Sequence, residues 1–112
     1  MSPTGRSAAR CTPADAVRAE RERIRALLLA QRPELGARLI VGPSGALVIP
    51  LSTGGSVEIG RMRRRGVSRW VVVAPTADGV SVREPATLVS VARAALDAVD
   101  EGGTGRVLSA VR

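Results

Sequence analysis

Between Leu39 and Val82 the hydrophobic period is two, and four short turn signals cut the stretch into five pieces. The signals are Gly42-Pro43-Ser44-Gly45, Ser52-Thr53-Gly54-Gly55, Arg63-Arg64-Arg65-Gly66 and Thr76-Ala77-Asp78-Gly79. Leu39 and Val41 alternate with Arg38 and Ile40. Leu47, Ile49 and Leu51 alternate with Ala46, Val48 and Pro50, and Val57 and Ile59 with Ser56, Glu58 and Gly60. Trp70 to Ala74 is apolar throughout, and Val80 and Val82 close a fifth strand. Parallel neighbours need crossovers of roughly a dozen residues, and no connection here is long enough. The spacing therefore predicts a five-stranded antiparallel meander, either open or curled into a small barrel.

On both sides the period changes to that of a helix. Thr12-Pro13-Ala14-Asp15 carries a capping residue, a proline suited to the first turn and an acid at the capping-box position. Val17, Ile24, Leu27 and Leu28 then share one face, Arg18 and Glu22 stand four apart on the outer side, and Pro33 ends the helix. Pro85 opens a second helix. In it Leu88, Val91, Ala92, Ala95, Leu96 and Val99 form an apolar stripe that runs to Gly102-Gly103. Residues 1–11 and 102–112 read as flexible tails around one domain, 12–101. The fold class is α+β, with an N-terminal helix, the meander and a C-terminal helix, and with both helices on one face of the sheet.

Alternation assigns Leu39, Val41, Leu47, Ile49, Leu51, Val57, Ile59, Val80 and Val82 to the core. The other face should then be polar, yet it holds Ile40, Val48 and, by register, Val71 and Val73. That mismatch points to a partner on this face, and a homodimer is expected. Trp70 is the only aromatic residue of the 112. It suits the core, and as a frequent hot-spot residue it joins the interface set as well.

Every basic residue is Arg, and the formal net charge is +7. The positive charge is concentrated in Arg61, Arg63, Arg64, Arg65 and Arg69 around the third connection. Guanidinium forks pair with phosphates or carboxylates, so nucleic acid or an acidic protein is the expected partner of this cluster. The competing reading is a solvated loop that keeps a sheet edge from pairing. The chain offers no aromatic stacking set for single strands.

Enzyme chemistry has little to work with. There is no His, and Cys11 is the single cysteine. Gly42-Pro43-Ser44-Gly45 lacks the G-x-S-x-G spacing of a nucleophile elbow, and Gly54-Gly55 is not followed by the G-K-[ST] of a phosphate loop. No catalytic residue, metal site or cofactor is expected. No stretch is long and apolar enough to span a bilayer, no signal peptide stands out, and one cysteine suits a reducing cytoplasm. The sequence reads as a small non-enzymatic binding or adaptor protein that self-associates through its sheet. The alternative is a nucleic-acid-binding regulator that uses Arg61–Arg69.

Overall fold

The computed structural model describes residues 12–111, with side chains described for 12–102. The tail expected over 1–11, with Cys11, lies outside the described residues. Helix α1 is Pro13–Gln31. It starts on the expected capping box: the Thr12 hydroxyl accepts from the Asp15 N–H at 3.1 Å, and the Asp15 carboxylate accepts from the Thr12 N–H at 3.2 Å. Hydrogen bonding to the side chain and then the backbone of Thr12 holds the Asp15 carboxyl below its usual pKa. The helix buries Ile24 and Leu28. Glu22 meets its neighbour Arg21 at 3.8 Å rather than Arg18. A 3-10 helix, Pro33–Ala37, follows and buries Leu35, where the sequence suggested only a break.

Five strands come next: β1 Ile40–Val41, β2 Leu47–Pro50, β3 Ser56–Arg64, β4 Val67–Thr76 and β5 Gly79–Arg83. They lie in sequence order, each antiparallel to the next, in an open sheet. The sheet does not close into a barrel. The third connection is far shorter than the run of arginines suggested. Arg64 pairs with Val67, so only Arg65 and Gly66 form the loop. Their φ values of 53° and 78° are those of a type I′ turn. Arg63 and Arg64 belong to β3, because a tight turn of this hand lets the ladder run to its very end.

Helix α2 is Leu88–Val111. It begins after Pro85, on a reciprocal pair in which the Thr87 hydroxyl accepts from the Ser90 N–H at 3.0 Å and the Ser90 hydroxyl from the Thr87 N–H at 3.0 Å. It also runs through Gly102-Gly103, where the sequence reading ended it. Glycine lowers helix propensity by about 1 kcal/mol without forbidding the helix. At Gly102 a Cβ would meet Leu51 Cδ1 at 3.3 Å, so packing favours the missing side chain.

The core lies between the helices and one face of the sheet. Ile24, Leu28 and Leu35 pack with Leu47, Ile49, Val57, Ile59, Trp70, Val72 and Ala74, and with Val91, Ala92, Ala95 and Ala98 of α2. Two expectations about this core fail. Val41 pairs with Leu47 but stays 50% exposed, because β1 is a two-residue edge strand. Val80 and Val82 are 65% and 47% exposed and lie on the opposite face. Val82 pairs with Val73 and Val80 with Pro75, which turns Ser81 and Arg83 toward the helices. Alternation says which residues share a face. The loop of Ala77 and Asp78 decides which face that is.

Candidate functional site

The helix-free face is organised in rows. Ile40 pairs with Val48, Val48 with Glu58, Glu58 with Val73 and Val73 with Val82, so one row crosses all five strands. At about 4.8 Å per strand it spans about 19 Å. Glu58 is its only polar member. Ile40 is 55% exposed, while Val48 and Val73 are half-buried. Val80 widens the patch beside Val82. Val71 lies in the adjacent row opposite Gly60 and is buried. It lines a groove of about 600 Å³ together with Ala46, Met62 and Val73, and with Pro13, Val17 and Arg21 of α1 at its edge. Of the expected interface residues, Ile40, Val48, Val71 and Val73 therefore share this face.

Trp70 does not join them. It is paired with Arg61 on the helix-covered face and is 6% exposed. Its indole N–H donates to Glu20 Oε1 of α1 at 2.7 Å. The same oxygen accepts from Arg61 at 3.3 Å, and the Arg61 guanidinium carbon stands 5.6 Å from the centroid of the Trp70 ring. Glu20 thus satisfies a buried donor and neutralises a cation at once. Nothing in the sequence around Glu20 points to Trp70, 50 residues away.

The five arginines are likewise divided. Ladder pairing of β2 with β3 stops at Leu47–Ile59, and pairing of β4 with β5 begins at Val72–Arg83. Gly60–Arg64 and Val67–Val71 therefore continue past both neighbours as a two-stranded arm, about 17 Å long at the usual rise. Alternation puts Arg61 and Arg63 on the helix side of this arm and Arg64 and Arg69 on the other, while Arg65 occupies the turn. Arg64 pairs with Glu84 at 2.6 Å, as Arg61 does with Glu20. Arg63, Arg65 and Arg69 have no ion pair among the described residues, and all three are exposed.

A second groove, of about 310 Å³, runs between the helices past Leu27, Val89 and Leu96. Arg32 and Asp100 pair across it at 2.6 Å, and that contact raises the Arg32 pKa further above its already high value. Among the described residues no three His, Cys, Asp or Glu side chains gather as a metal site, and no helix is long and apolar enough to cross a membrane. Protein-family models, curated proteins and solved structures contain no match to this chain.

Proposed function

We propose that this protein is a non-enzymatic binding module that pairs with a second copy of itself through the helix-free face of its sheet. The observation that carries the reading is the row Ile40–Val48–Glu58–Val73–Val82, which is apolar at four of five positions on the sheet face opposite the helix-packed core. A sheet face left to water normally alternates to polar residues. Two such faces can pack about 10 Å apart with interdigitating side chains. The patch is small: about 19 Å across the strands and about 13 Å along them from Val71 to Pro75. That lies well below the ~800 Å² per partner of a standard interface, so the expected dimer is a weak, transient one. A cytoplasmic location is part of the reading and rests on the single cysteine, which suits a reducing compartment.

Sedimentation equilibrium across the micromolar range tests it. The wild-type chain should shift from monomer to dimer. The double substitution Val80→Lys, Val82→Lys should hold it monomeric while leaving its circular dichroism unchanged, because both side chains already face solvent. A wild-type chain that stays monomeric at several hundred micromolar overturns the proposal.

A further inference from the structure

The arm formed by β3 and β4 offers a separate surface. It carries five Arg and no acid between Gly60 and Val71, its ladder runs on past those of both neighbouring strands, and its outer half, Arg63 to Arg69, is exposed at every residue. From these observations we infer that the arm binds double-stranded DNA by entering the major groove, largely without regard to sequence.

Shape supports this choice of partner. The two strands of the arm lie about 4.8 Å apart, and the major groove of B-form DNA, about 12 Å wide, admits a two-stranded ribbon. The deep, narrow major groove of an RNA duplex does not. Single strands are held largely by stacking on exposed aromatic rings. The only ring of this chain, Trp70, is buried at the base of the arm.

The distribution of charge fits the same partner. Consecutive strand residues point to opposite faces, so Arg63 emerges on one side of the ribbon and Arg69 on the other, with Arg65 at the tip. A ribbon entering tip-first offers cations to both phosphate walls of the groove. Among the described residues these three arginines have no ion-pair partner to give up. The exposed Arg64–Glu84 pair can exchange its carboxylate for a phosphate at little cost. Phosphate contacts of this kind give affinity without reading bases.

The magnitude follows from counterion release. Three phosphates neutralised by Arg63, Arg65 and Arg69 give a slope of log K against log salt of about −2.7, or roughly 40-fold weaker binding between 50 and 200 mM salt.

The test is fluorescence anisotropy with a labelled 20-base-pair DNA duplex, a single strand and an RNA duplex, each over a salt series. The full-length chain should prefer the DNA duplex and show a slope near that value. The variant Arg63→Thr, Arg65→Asn, Arg69→Thr keeps strand formers in the strands and a turn former in the turn. It should bind at least tenfold more weakly at 50 mM salt, with a slope no steeper than the roughly −0.9 that a single contact from Arg64 would leave. A control with the same change in net charge, Arg18→Ala, Arg23→Ala, Arg93→Ala, removes exposed helix arginines and should bind like the wild type. No duplex binding at low salt, equal loss in variant and control, or equal affinity for all three nucleic acids overturns the inference. Arg63, Arg65 and Arg69 lie outside the row from Ile40 to Val82, and the Val80→Lys, Val82→Lys chain, tested in the same assay, should bind DNA no more weakly than the wild type, so the outcome is separate from that of self-association.

Discussion

Glu20 Oε1 takes two donors from neighbouring strands, the Trp70 indole and the Arg61 guanidinium. Their costs of loss differ. Arg61 is exposed enough for water to replace its partner, whereas the Trp70 N–H sits in a side chain that is 6% exposed. An unsatisfied buried donor costs about 1–3 kcal/mol. Glu20→Ala should therefore destabilise the fold by about 1–3 kcal/mol, while Glu20→Gln, which retains an acceptor, should cost less than half as much. Urea unfolding followed by tryptophan emission checks this, and with one aromatic residue in the chain the signal has a single source. Equal losses in the two variants would show that the charge of Glu20 matters, not its hydrogen bond to Trp70. The burial of Trp70 was legible in its apolar strand. Its partner was not, because the contact joins residues 50 apart in sequence.

At the scale of elements, the β3–β4 turn concentrates strain in one residue. Arg65 has φ 53° and is the only non-glycine with positive φ among the described residues. An ordinary side chain pays for that region, whereas Asn visits it more readily. Arg65→Asn should raise stability by about 0.5–1 kcal/mol. Gly66→Ala, at φ 78°, should lower it by about 1 kcal/mol or more. Thermal denaturation of the two variants beside the wild type measures both. The capping box of α1, the count of strands and their meander order were readable from local pattern, since each depends on a few adjacent residues. The length of β3 was not. Three consecutive arginines read as a loop by composition, and only pairing with β4 shows that two of them are strand. The placement of Val80 and Val82 failed for a related reason, because a period of two is blind to which side the helices take.

At the scale of the whole molecule, the proposed self-association through the open sheet has a consequence for stability. Both helices and one sheet face share a single core, so unfolding should be one transition. A dimer that forms only between folded chains adds stability by mass action. The melting temperature should therefore rise by a few degrees, roughly 2–5 °C, over a hundredfold increase in protein concentration. In differential scanning calorimetry the Val80→Lys, Val82→Lys chain should show no such rise, and a wild-type melting point independent of concentration would argue against the dimer. The same sheet also carries a device that fixes its own alignment. Arg83 reaches Glu101 of α2 at 2.9 Å on the helix side, while its neighbour Glu84 reaches Arg64 of β3 at 2.6 Å. A slip of β5 by one residue would move both charges to the opposite faces, bringing Glu84 toward Glu101 in one direction or Arg83 toward Arg64 in the other. Each exposed pair contributes less than about 1 kcal/mol, but either slip would break both attractions and put a repulsion in place of one of them. Adjacent residues of opposite sign thus work as a two-sided key, which turns in one alignment of the strand and jams in the next.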